Sequence, residues 1–130
     1  MTGSNYLIDT NIVSAYLKGD VSVERKMNQP ASVFIPVIVI GELSFGAALS
    51  DNNTKYLADI NRLKAVYRII LADIDTCTYY GSIKASLRKK GKPIPENDIW
   101  IAAIARQHNF TVATRDKHFA EVDGLSIEEW

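Results

Sequence analysis

Cysteine is almost missing: Cys77 stands alone in 130 residues, which excludes an internal disulfide framework and fits a reducing cytosol. Long apolar runs are missing too. The stretches 37–40 and 100–105 fall far short of the ~20 residues that a membrane helix needs. The N-terminus carries no charged-then-apolar leader, so the chain is expected in the cytoplasm and off the membrane. Net charge is zero, with 15 Lys and Arg against 15 Asp and Glu, so bulk electrostatics singles out no class of partner and only the placement of charges can. With 7 Gly, 4 Pro and no repeat or low-complexity run, nothing reads as a linker, and one domain over 1–130 is expected. A chain of this size buries roughly two-thirds of the surface its unfolded form exposes, enough for a core without staples. The two histidines, His108 and His118, have no second His or Cys at metal-ligand spacing and read as surface or loop residues.

What is present is an alternation of short apolar runs with helical patterns. Tyr6-Leu7-Ile8, Val33-Phe34-Ile35, Ile69-Ile70-Leu71 and Phe110–Ala113 read as strands, and 125–127 as a fifth. A helix starts near Ile12, a short one covers 21–28, and Pro36 opens another. Tyr56, Ile60, Leu63 and Tyr67 carry helical spacing, Asp75 is the expected cap of a helix over 76–90 that Gly91 and Pro93 end, and 97–107 is the last helix. Strands that alternate with helices predict an α/β layer with a central, mainly parallel β-sheet flanked by α-helices.

Four acids sit where a solvated charge is out of place. Asp9 directly follows the first strand, and Asp116 lies three residues past the fourth, so both are expected at carboxyl ends of sheet strands, where open α/β folds build their sites. Glu42 interrupts Val37-Ile38-Val39-Ile40-Gly41-Glu42-Leu43, and Asp98 precedes seven apolar residues, Ile99 to Ala105. Taken singly, Asp9 and Asp98 read better as helix caps or first-turn acids than as site residues, and Asp116 reads as the start of a turn over 117–120. Taken together, converging carboxylates without Lys partners repel one another and resist burial, and a divalent cation relieves both problems. Oxygen ligands without a His or Cys cluster favour Mg²⁺ or Mn²⁺ over zinc. Such a centre suits phosphodiester hydrolysis by water, which leaves a 5′-phosphate and a 3′-hydroxyl.

The segments Leu7-Ile8-Asp9-Thr10-Asn11, Ile40-Gly41-Glu42-Leu43, Ile94–Ala103 and Thr114-Arg115-Asp116-Lys117-His118-Phe119, together with the tail 124–130, resemble the PIN-domain ribonucleases, most closely the VapC toxins of toxin–antitoxin pairs. The resemblance spans essentially the whole chain. It implies a PIN-like fold and a metal-dependent endoribonuclease whose catalytic acids are Asp9, Glu42, Asp98 and Asp116, with Asp9, Asp98 and Asp116 on Mg²⁺ or Mn²⁺. It further implies that Thr10, Asn11 and Thr114 hydrogen-bond and orient the carboxylates. RNA as substrate, a VapB-type antitoxin whose inserted Arg bridges the acids, and a homodimer are the implied partners. Ile38, Phe45 and Leu49 are the candidate dimer surface, with ordinary core packing as the alternative.

Lys84, Arg88, Lys89, Lys90 and Lys92 fall in a stretch with no acid between Asp75 and Glu96, so they are candidates to lead RNA phosphates toward Asp98; the competing reading is a solvated helix C-terminus. Tyr79 and Tyr80 read as core packing before base stacking. Two other functions stay in view. A haloacid-dehalogenase-type phosphatase needs a second Asp two residues after the first, where Asn11 stands. A PIN-like module that binds RNA or protein without cleaving it keeps the fold and lacks the chemistry.

Overall fold

The structure is a computed structural model and describes residues 5–130. Five strands form one parallel sheet: β1 (Tyr6–Ile8), β2 (Val33–Pro36), β3 (Arg68–Ile70), β4 (Thr111–Thr114) and β5 (Ile127–Glu129), in the order β3-β2-β1-β4-β5. Each pairing is parallel; Tyr6 faces Val33 on one side and Thr111 on the other. Parallel neighbours need crossovers, and six helices supply them: α1 (Thr10–Leu17), α2 (Val21–Met27), α3 (Val37–Leu49), α4 (Asn53–Val66), α5 (Ile74–Lys90) and α6 (Glu96–His108). Among the described residues, no helix is long and apolar enough to cross a membrane.

Central strands covered on both faces must be apolar at every position, and Leu7, Ile8, Val112 and Ala113 are fully buried. Helix α6 supplies the densest cover: Ile101, Ala102, Ala103, Ile104 and Ala105 have no solvent exposure. Small alanines bring this helix close to the sheet, which carries its N-terminal end and Asp98 toward β1 and β4.

Three local expectations shift. The cap of α5 is Asp73, not Asp75, because Thr76 completes a capping box with it: Asp73 Oδ1 accepts from the Thr76 N–H (3.1 Å) and Thr76 Oγ1 accepts from the Asp73 N–H (2.9 Å). Gly91, at φ +67°, ends that helix as expected, and the Lys92 N–H reaches the Leu87 carbonyl at 3.0 Å. The last strand runs over Ile127–Glu129 and not 125–127, since the chain end is anchored at Trp130, whose ring lies 5.0 Å from Tyr6 and whose Nε1 donates to Glu128. On α3, Ile38 packs against the core, whereas Phe45 and Leu49 stand 67% and 72% exposed.

Candidate active site

Asp9 is the residue after β1, and its backbone N–H still donates to the Ala113 carbonyl of β4 (3.0 Å). Its side chain does two things. Oδ1 accepts from the Thr10 N–H at 2.8 Å and caps α1, while Oδ2 accepts from Thr114 Oγ1 at 2.7 Å. Thr114, buried at the end of β4, also accepts from the Asp116 N–H (2.9 Å), so one hydroxyl ties two of the acids. Asp116 in turn accepts from the His118 N–H (3.0 Å) and opens the short 3₁₀ turn Lys117–Glu121. Thr10 Oγ1 donates to Glu42 Oε1 at 2.8 Å, which joins α3 to the same cluster.

Burial and mutual repulsion shape the electrostatics. Asp9 and Asp98 are 4% and 9% exposed. Burial raises the Asp9 pKa, hydrogen bonds from Thr114 and Thr10 oppose the rise, and the Asp116 and Glu42 charges add to it. Burial, followed by the Asp9 charge, pushes Asp98 up to about 6 from its ordinary 3.8, against the opposing pull of His118. Among the described residues, no Lys or Arg forms an ion pair with any of the four acids. Buried carboxylates at Asp9 and Asp98, with further carboxylate oxygens and no cysteine beside them, are the donor set of a hard divalent cation.

His118 is exposed, as expected of a surface or loop residue, and also belongs to this cluster. Its Nδ1 lies 2.9 Å from Asp116 Oδ1 and 3.3 Å from Asp98 Oδ2. Ligand atoms of Asp98, Asp116 and His118 lie within 4.8 Å of one another. Only the two-residue step from Asp116 to His118 hinted at this, and no His or Cys partner was needed because the partners are carboxylates. Asn11 also departs from expectation: its Oδ1 accepts from the Arg115 N–H (3.5 Å), so it braces the strand-end loop and not a carboxylate.

The basic stretch is engaged elsewhere in part. Lys84 pairs with Glu96 at 3.1 Å, beside Tyr80, whose hydroxyl also donates to Glu96 and whose ring stacks on Trp100 (4.0 Å between centroids). Lys90 pairs with Asp123 at 3.0 Å. The cavity of about 360 Å³ next to Lys84 and Arg88 is lined by none of the four acids.

The PIN domain family model matches residues 6–125. Ribonuclease VapC2 of Haemophilus influenzae is 33% identical over 128 residues, covering 96% of this chain and 97% of the relative. The tRNA(fMet)-specific endonuclease VapC of Shigella flexneri is 29% identical over 128 residues, again covering 96% of this chain and 97% of its own. A crystal structure of VapBC2 from Rickettsia felis, bound to a DNA fragment from its promoter, superposes with a TM-score of 0.90 at 27% identity, covering 96% of this chain and 98% of that one.

Proposed function

The chain belongs to the PIN-domain family and, within it, to the VapC ribonucleases, and on that footing we propose that Asp9, Glu42, Asp98 and Asp116 carry out metal-dependent hydrolysis of RNA phosphodiesters. The enzyme is an endoribonuclease of toxin type, one nuclease unit over 1–130 acting in the cytoplasm. A single observation carries the site assignment: four carboxylates from four elements converge at the carboxyl ends of β1 and β4 with no Lys or Arg ion-paired to them among the described residues.

Asp9, Asp98 and Asp116 would hold the cation, Mg²⁺ or Mn²⁺, with His118 at the rim. Such an ion, when bound, lowers the pKa of water and offsets charge building on the phosphate. The chain's own groups do the rest. Thr114 fixes the Asp9 carboxylate and, through the Asp116 N–H, the loop that carries Asp116. Thr10 holds Glu42 by Oε1 alone, which leaves Oε2 to accept the proton of an attacking water. Attack by water, and not by the ribose 2′-hydroxyl, leaves 5′-phosphate and 3′-hydroxyl ends.

A VapB-type antitoxin and a second copy of the chain complete the proposed partners. Phe45 and Leu49, exposed on α3, supply the apolar surface for the second copy. An antitoxin arginine would balance the acids as a cation does, with a forked guanidinium across two carboxylates. The test is incubation of purified protein with single-stranded RNA and Mg²⁺ or Mn²⁺. Cleavage that EDTA stops and Asp98→Asn removes supports the reading. RNA bound and left intact by the wild type under both metals would favour the non-cleaving module instead.

A further inference from the structure

Lys18 and Arg115 line one hollow at the opposite end of α1 from Asp9. Asn11 and Ser14 on α1 and Lys18 at its C-cap recur at helical spacing and form one polar stripe that begins next to Asp9 and ends at the opposite end of the helix. This stripe is the floor of a hollow of about 610 Å³ whose wall is Asp20 and Arg115. Ala15 and Gly19 also line it, and their small size keeps the hollow wide. Ser14 lines a second hollow as well, which holds Thr10 and Glu42. The two hollows share Ser14 on α1; Glu42 lines the second, and none of the four acids lines the first.

The charge in the first hollow is built, not incidental. Arg115 directly precedes Asp116; its Nε donates to the Trp130 carbonyl (2.7 Å) and one terminal nitrogen donates to Asp20 Oδ2 (3.0 Å). Its backbone N–H is bound by Asn11. These contacts hold the guanidinium in one orientation while its side chain stays 39% exposed. Asp20 is balanced by that arginine, which with Ser22 lowers its pKa to about 2. Lys18, one turn from Ser14, is exposed and has no ion pair among the described residues.

We propose that Lys18 and Arg115 form a subsite for RNA backbone phosphate remote from the scissile bond, about 13 Å along α1 from Asp9, with α1 as the floor along which a single strand reaches the acids. The proposal rests on the ribonuclease reading above and names the surface by which that site takes its substrate. A polyanion is the occupant that the chemistry fits. A strand that runs along α1 toward the four acids first meets Lys18, unpaired among the described residues, and the exposed part of Arg115, whose positive charge favours a polyanion before the acids repel it.

The experiment measures binding of a fluorescein-labelled single-stranded RNA by anisotropy in an Asp98→Asn background, which binds without cutting, across a salt series. Lys18→Ala should weaken binding several-fold and lower the log–log salt slope by about 0.7, the value for one phosphate contact on a single strand; Lys18→Glu should weaken it further. Lys64→Ala, on the exposed face of α4, should leave both readings unchanged. Arg115→Ala loosens the tie to Asp20 and Trp130, so Arg115→Lys accompanies it, keeping charge and losing the fork. Lys18 variants that match the parent in affinity and slope would overturn the subsite. So would a slope change that follows Arg88→Ala and Lys89→Ala and not Lys18→Ala, or a loss confined to a protein partner's binding. RNA cleavage by the otherwise wild-type enzyme is scored separately: its absence strikes the ribonuclease reading, whereas cleavage together with unmoved Lys18 variants strikes only the subsite.

Discussion

Thr114 Oγ1 donates to Asp9 Oδ2 at 2.7 Å and, with its remaining lone pair, accepts the Asp116 N–H at 2.9 Å, so a neutral hydroxyl sets the positions of two acids far apart in the chain. Valine has nearly the same shape and can do neither. Thr114→Val should cut RNA cleavage by about 10- to 100-fold, the range seen when a partner orienting a metal ligand is lost. The cost in stability should be about 1–3 kcal/mol from unpaired buried groups. Thr114→Ser should restore most of the activity. Cleavage rates and urea unfolding of the two variants check this, and a fully active valine variant would remove Thr114 from the positioning machinery.

Asp98 makes stability depend on pH in a definite direction. Its pKa in the fold is raised from 3.8 to about 6, so the fold binds a proton that the unfolded chain has already released between those values. Metal-free protein therefore loses stability as pH rises from about 4 to about 6, by a ceiling of about 3 kcal/mol. Asp98→Asn cannot release that proton. The variant should lack this decline, match or exceed the parent's stability above pH 6, and have no nuclease activity. Denaturant melts at pH 4, 5, 6 and 7 measure the difference; parallel curves for the two proteins would count against a charge-strained Asp98.

Cation binding should relieve the same strain. EDTA should abolish cleavage, and Mn²⁺ or Mg²⁺ should restore it and raise the melting temperature. A stabilisation of about 2.7 kcal/mol is expected at a hundredfold excess over Kd. His118→Ala should weaken this thermal shift without eliminating it, since Nδ1 touches only Asp98 and Asp116 while Asp9 remains. An unchanged melting temperature on adding either ion, with activity persisting in EDTA, would rule out the metal mechanism.

The capping assignment on α5 has its own test, far from the chemistry. Asp73→Ala removes the side-chain half of the box with Thr76 and the contact from Gln107 (2.8 Å), leaves the residue-73 N–H on Thr76 Oγ1, and should cost about 1 kcal/mol. Asp75→Ala, at an exposed first-turn position, should change stability by no more than about 0.5 kcal/mol. Equal losses for the two would return the cap to Asp75.

Much of this was legible in the residues. Leu7 and Ile8 announce a buried strand because nothing polar interrupts them, and Asp9 then stands at the strand's end by simple adjacency. Gly91 marks a helix stop because the left-handed conformation there strains other residues. What was not legible depends on partners distant in the chain. His118 acquires its meaning from Asp98 on another helix, and Asn11 from Arg115 beyond β4. The choice between Asp73 and Asp75 turned on one hydroxyl, Thr76, whose reach is set by the helix's first turn. Charge density alone did not show which cations are already paired: Lys84 and Lys90 are held by Glu96 and Asp123, while Arg88 and Lys89 make no ion pair among the described residues.

The double duty of Asp9 bears on how such a protein can change over generations. One carboxylate oxygen caps α1 and the other takes the Thr114 hydroxyl. Asparagine is an equally good cap, so Asp9→Asn keeps the helix start while discarding the charge. Glutamate keeps the charge and forfeits the cap. The codons of aspartate and asparagine differ at a single base. With Asp9 in the role proposed for it, the gene lies one transition from a well-folded, inert copy of its product, a short route by which an active nuclease lineage can give rise to silent siblings of the same shape.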